Sequence, residues 1–163
     1  MSDEKLIHVA MGEVKMARRG ETLTALLGSC VAIGVIWPAA GKCALAHCLL
    51  PESPDGTVRF GARYVSQAVP SLLALMGVDE TERGDVDVVI AGGARMLGYA
   101  ALANAVGIQN IAAARNLVAA AGLRVVHSDT GGRSGRRIHI DSARTSYSIT
   151  KILHDTEERH AYA

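Results

Sequence analysis

The sequence predicts a single-domain α/β sandwich with a mixed sheet and two main helices. Three observations carry that prediction. Short β-branched and apolar runs alternate with turns marked by Gly and Pro. Two longer stretches read as helices. The 163 residues, 49% hydrophobic and 20% charged, are enough to bury one continuous core.

Residues 6–10 and 13–17 read as short strands around Met11-Gly12. Residues 22–27 and 31–37 are strand-like runs separated by Gly28-Ser29-Cys30. Pro38-Ala39-Ala40-Gly41 makes a turn, and residues 42–50 return as a buried strand ending at Pro51, which gives a hairpin. Residues 59–76 read as a helix because Tyr64, Val65, Ala68, Leu72, Leu75 and Met76 recur at roughly helical spacing. Pro70 is expected to kink or divide it. Residues 86–91 form a central strand followed by Gly92-Gly93, and residues 110–121 a second helix, with Asn110 as N-cap and Gly122 as C-cap. Residues 123–128, 136–141 and 146–153 complete a strand-rich C-terminal half. No repeat or linker interrupts the chain, so residues 1–163 are read as one domain whose tail, 154–163, is polar and expected to fray.

Composition excludes several classes of partner. Lys plus Arg number 17 against 16 for Asp plus Glu, so no global basic field draws the chain to nucleic acid. No run approaches the roughly 18 apolar residues of a membrane span, and the start, Met1-Ser2-Asp3-Glu4-Lys5, is unlike a signal peptide. A soluble, cytoplasmic protein is expected. Cys30, Cys43 and Cys48 are odd in number, which suits free thiols in a reducing compartment. The spacing Cys43-x4-Cys48 is a poor match to zinc ligation, and neither a metal nor an organic cofactor is expected.

Gly28-Ser29-Cys30 is the segment with most chemical promise. Small residues between two strands let the backbone turn sharply and let a substrate approach the main chain. A cysteine on that turn would project its sulfur outward, with N–H groups near Gly28, Ser29 and Val31 available to an oxyanion. Alone, Cys30 reads better as a small buried hydrophobe in a turn. His47 changes the balance. It lies in the apolar run Ala44-Leu45-Ala46-His47-Cys48-Leu49-Leu50, where an imidazole needs a polar partner. Pairing residues 31–37 with 42–50 across the turn brings Cys30 and His47 to one edge of the hairpin. A free thiol, with a pKa of about 8.5, is only a few per cent ionised at neutral pH, and a neighbouring imidazolium would lower that value. The competing reading is a core histidine bonded to a main-chain carbonyl.

Cys43 and Cys48 read as packing residues, Cys48 pointing away from His47 in a regular strand. Thr24, on the preceding strand, offers a hydroxyl or carbonyl to orient an imidazole, or is simply a good strand former. The glycine-rich stretch from Asp129 to Arg137 lacks the lysine and spacing of a phosphate loop. Its arginines, Arg133, Arg136 and Arg137, read either as a dock for an acidic partner or as a solvated loop.

Taken together, these segments resemble the CheD family of chemoreceptor glutamine deamidases. The resemblance runs through Thr24-Ala25-Leu26-Leu27-Gly28-Ser29-Cys30-Val31 and Ala46-His47-x3-Leu50-Pro51. It continues through Gly92-Gly93-Ala94-x-Met96, Gly107-x-x-Asn110 and Asp129-x-Gly131-Gly132-x-x-Gly135-Arg136. It implies Cys30 as nucleophile, His47 as base and Thr24 as the residue orienting the histidine. It also implies an α/β sandwich similar to the deamidating domain of the cytotoxic necrotizing factor toxins. The implied reaction is hydrolysis of receptor glutamine to glutamate. The implied partners are the cytoplasmic helical part of chemoreceptors and the phosphatase CheC. The chain departs from the family pattern at Gln109, where Arg is usual, and near Ser146, which lacks a Thr-Gly turn. Two other roles share the same residues: a non-catalytic module regulating CheC or receptors, and a methylesterase acting on receptor glutamate methyl esters.

Overall fold

The computed structural model describes residues 4–56, 59–95 and 101–152, with residues 101–104 described by their main chain alone. The predicted tail at 154–163, the strand end at Leu153 and Met96 of the glycine motif lie outside the described residues.

The strands are β1 (Lys5–His8), β2 (Val14–Met16), β3 (Glu21–Leu27), β4 (Val31–Trp37), β5 (Lys42–Cys48), β6 (Asp87–Gly92), β7 (Arg124–Thr130), β8 (Gly135–Asp141) and β9 (Ser146–Ile152). The helices are α1 (Val65–Met76) and α2 (Ala101–Ala120). They form an α/β sandwich with two helices, as expected, but the sheet is divided in two: a four-stranded sheet β1-β3-β8-β9 and a five-stranded sheet β2-β5-β4-β6-β7. Both are mixed, since β1–β3 and β6–β7 are parallel pairs.

Alternation along the central strands explains the layers. Val31, Ile33 and Val35 of β4, with Ala44, Ala46 and Cys48 of β5, face a core completed by α1 and α2. Ala32, Ile36, Cys43 and Leu45 face the other way, onto Leu23, Ala25, Leu27, Ile138 and Ile140 of the four-stranded sheet. The central strands β4, β5 and β6 are therefore covered on both faces, which is why they read as near-continuous apolar runs. Fully burying one such Leu or Ile stabilises the fold by about 1.5–3 kcal/mol.

Three boundaries differ from expectation. α1 begins at Val65 rather than at residue 59, because Tyr64 is extended (φ −116°, ψ 143°) and Gln67 Oε1 reaches back to accept its N–H at 3.2 Å. Pro70 leaves α1 undivided: it lies inside one continuous helix. α2 starts at Ala101, so Asn110 is not an N-cap but a fully buried residue in mid-helix. Gly107 disguises this start, since glycine in a helix interior costs about 1 kcal/mol. Here it is required, because a Cβ at this position would approach the Gly93 carbonyl oxygen at 2.9 Å.

Candidate active site

β3 and β4 belong to different sheets, so the chain crosses from one layer to the other through Gly28, Ser29 and Cys30. All three are partly exposed. Each carbonyl of this turn has a donor. Gly28 O accepts from Ala94 N at 3.0 Å and Cys30 O from Gly93 N at 2.8 Å. Ser29 O accepts from Asn110 Nδ2 at 3.2 Å. A trans peptide points its N–H opposite to its C=O. Anchoring the Gly28 and Ser29 carbonyls therefore turns the N–H groups of Ser29 and Cys30 away from the scaffold. Among the described residues no main-chain oxygen accepts from either.

Val31 differs. Along β5, His47 directs its N–H and C=O to residues 12 and 13 (His47 N to Glu13 O, 3.0 Å; Gly12 N to His47 O, 2.8 Å). The next residue, Cys48, therefore faces β4, where its register partner is Val31. That commits the Val31 N–H to the ladder.

Gly92-Gly93 is the buttress of the turn. Gly92 has φ +106°, and a Cβ there would collide with the Cys30 carbonyl oxygen. Behind it, Gly92 O accepts from Gly131 N at 3.0 Å, and Gly132 O from Arg95 N at 2.7 Å. The glycine loop of residues 129–135 is itself wrapped around Arg136. That side chain, 3% exposed, pairs with Asp129 at 3.1 Å and donates to the carbonyls of Gly131 (2.6 Å) and Ser134 (3.0 Å). Arg136 is thus a buried strut, neither docking cation nor solvated loop, while Arg133 and Arg137 remain at the surface.

His47 pairs with Ala32 across the β4–β5 ladder, two residues on from Cys30. By the two-residue period it shares the face of Cys43 and Leu45, and Cys30 packs against that same inter-sheet cluster. Nucleophile and base candidates are therefore diagonal neighbours on one face, although the Cys30 sulfur is not hydrogen-bonded to the imidazole. Cys48 faces the helices instead.

The imidazole is 4% exposed. Its Nδ1 lies 2.9 Å from the Val9 carbonyl oxygen. A carbonyl only accepts, so Nδ1 carries the proton and Nε2 the lone pair. Nε2 is buried and has no partner among the described residues. The Thr24 carbonyl in turn accepts from Val9 N at 2.8 Å. Leu23 and Ala25 face the inter-sheet core, so the Thr24 side chain stands on the opposite face of β3. Among the described residues Thr24 is therefore linked to the histidine only through Val9, by its main-chain carbonyl.

Burial sets the protonation of the pair. It pushes the Cys30 thiol up, although the Cys30 amide favours the thiolate. It pushes His47 down, against the Val9 carbonyl and the nearby Glu13 charge, which both favour the imidazolium. Both shifts favour the neutral forms, thiol and imidazole, over the imidazolium expected to lower the thiol. The two other thiols are fully buried; burial, helped by Asp141, raises Cys43 to about 11, and burial raises Cys48 further. Among the described residues no three His, Cys, Asp or Glu side chains converge as a metal site, and no helix is long and apolar enough to cross a membrane.

Sequence reasoning missed Val9 and misread Asn110. Asn110 Nδ2 bonds the Leu49 carbonyl at 2.8 Å as well as Ser29, so one side chain ties the Cys30 turn to the end of the His47 strand. The available signal was its place in the Gly107-x-x-Asn110 element, since Gln109, Arg115 and Asn116 make the helix polar elsewhere too.

Residues 49–151 match the family described as CheD chemotactic sensory transduction. A relative from Ruegeria sp., named probable chemoreceptor glutamine deamidase CheD 2, is 38% identical over 164 aligned positions, covering 90% of this chain and 92% of that protein. Probable chemoreceptor glutamine deamidases CheD from Bdellovibrio bacteriovorus and Methanococcus vannielii are 36% and 33% identical, covering 89% and 90% of this chain and 94% and 95% of their own lengths. The chain belongs to the CheD family.

Proposed function

We propose that this chain hydrolyses glutamine side-chain amides of chemoreceptors to glutamate through a thioester on Cys30. One observation carries the reading: a partly exposed thiol sits on a turn whose carbonyls are all anchored, on the same face as an imidazole with a buried, unpartnered Nε2. The names of the relatives supply the substrate class.

His47 Nε2 takes the Cys30 proton as the sulfur attacks the carboxamide carbon. The oxyanion rests on the N–H groups of Ser29 and Cys30; Gly28 permits the turn and Val31 begins the strand that holds it. Thr24, through Val9, and Val9 directly keep the histidine in its tautomer and stabilise the imidazolium. The imidazolium returns the proton to the leaving nitrogen, and ammonia departs. Water, deprotonated by His47, attacks the thioester; its C–S bond breaks and leaves glutamate and the free thiol.

The working partner is the cytoplasmic helical part of a chemoreceptor, which sets the location as cytoplasmic, and CheC would compete for the same face. The test is to incubate the protein with a chemoreceptor cytoplasmic fragment and follow intact mass and released ammonia. A gain of about one mass unit per glutamine, with ammonia, is expected for acyl-enzyme hydrolysis of an amide. Methanol instead of ammonia means methylesterase action; binding without any change in mass means an adaptor.

A further inference from the structure

Asn110 does more than fill the core of α2. Its side chain is wholly buried, and its Nδ2 donates to carbonyls of two separate segments: Ser29 at 3.2 Å and Leu49 at 2.8 Å. With both flanking groups acceptors, the amide cannot be flipped, since that would set its oxygen against two carbonyl oxygens. Its Oδ1 is buried with no partner among the described residues. Leaving an acceptor unsatisfied has a cost, and the structure accepts it to keep the Nδ2 donor where it is.

The consequence falls on one peptide unit. Ser29 O and Cys30 N–H belong to the same trans peptide and point in opposite directions. Of the three carbonyls in the turn, those of Gly28 and Cys30 are held by main-chain N–H groups of Ala94 and Gly93, whereas Ser29 O is held by a side chain. Ser29 O is therefore the one carbonyl of this turn whose donor can be removed by deleting a side chain, and the Cys30 N–H depends on it.

We propose that Asn110 is a positioning residue for the oxyanion: by holding Ser29 O it aims the Cys30 N–H at the developing negative charge, and through Leu49 O it keeps the His47 strand in step. This rests on the acyl-transfer reading above, and deepens it. Leucine at 110 would keep the volume and remove the donor. Serine would keep a hydroxyl donor too short to reach both carbonyls.

The experiment compares two reactions of the same thiol. Alkylation of Cys30 by iodoacetamide is a displacement at saturated carbon and forms no oxyanion. Acylation by p-nitrophenyl acetate forms a tetrahedral oxyanion and releases nitrophenolate, which is read directly. Mass mapping confirms that Cys30 is the residue modified. Asn110→Leu should leave alkylation near the wild-type rate and slow acylation roughly 100-fold, the usual effect of losing one oxyanion donor. Deamidation of the receptor fragment should lose kcat by a similar factor with KM unchanged. Asn110→Ser, which covers the case that the leucine variant does not fold, should give an intermediate loss with the same pattern.

Equal falls in alkylation and acylation, or a change confined to KM, would overturn the assignment and leave Asn110 a packing residue. If the wild type is acylated by the ester but leaves receptor glutamines unchanged, the substrate reading fails. The ratio of acylation to alkylation would still decide the role of Asn110.

Discussion

His47 donates its Nδ1–H to the carbonyl oxygen of Val9 at 2.9 Å, and this bond leaves Nε2 as the nitrogen that can take a proton. Because the acceptor is a main-chain carbonyl and not a carboxylate, it fixes the tautomer without adding a full negative charge. Burial then prevails, holding His47 below the ordinary imidazole value.

That balance predicts a pH profile. His47 must be neutral to act as base, so kcat/KM should rise with pH along a limb whose midpoint lies below about 6.5, the unperturbed imidazole value. Stability follows the same sign. Between the lowered folded pKa and about 6.5 the unfolded chain binds more protons, so stability rises with pH there and is lost as pH falls through that window. A pH–rate profile and urea unfolding at several pH values check both. At the alkaline end, the raised Cys30 thiol costs stability as pH climbs above about 8.5, where the unfolded thiol ionises first.

The thiols should separate by accessibility. Cys30 is partly exposed while Cys43 and Cys48 are fully buried. Iodoacetamide should place one carbamidomethyl group on the folded protein, at Cys30, and label all three cysteines after unfolding. His47→Ala should slow that labelling at neutral pH, since the Cys30 thiol then has no neighbouring base.

Gly92→Ala should be severe. The position combines φ +106° with the Cys30 carbonyl in the space a methyl group would take. A loss of about 2–4 kcal/mol is expected from strain and displaced backbone together. Any folded fraction should be inactive, because the nucleophile turn moves with its carbonyl. Circular dichroism melts and the receptor-fragment assay measure the two effects.

Arg136→Met should cost roughly 2–4 kcal/mol, because it leaves the carbonyls of Gly131 and Ser134 without their buried donor and Asp129 without its partner. Arg137→Ala, exposed on the neighbouring position of β8, should change stability by less than about 0.5 kcal/mol. Denaturant midpoints for the two variants give the comparison.

Much of this arrangement was legible in the residues. The hairpin of β4 and β5 followed from two apolar runs around Pro38-Ala39-Ala40-Gly41, and the placing of Cys30 and His47 at one edge followed from the hairpin. The opposite orientation of Cys48 followed from the strand period. The division into two sheets was not legible, since period and propensity do not name a strand's partner: β8 pairs with β3, more than a hundred residues earlier. That Gly107 lies inside a helix was not legible, because its reason, the close approach of Gly93, is tertiary. Arg136 looked like a surface cation for the same kind of reason, its partners being carbonyls. A main-chain carbonyl as partner of His47 was one of the two readings the residues offered, but not that it belongs to Val9, because a main-chain oxygen leaves no trace in residue type.

The central claim is that Cys30 is the nucleophile of a receptor deamidation. The most direct measurement is the intact mass of a chemoreceptor cytoplasmic fragment after incubation with wild type, Cys30→Ala or His47→Ala. A gain of about one mass unit per converted glutamine is expected with wild type, none with Cys30→Ala and a strongly slowed gain with His47→Ala. Conversion by Cys30→Ala at the wild-type rate would contradict that claim.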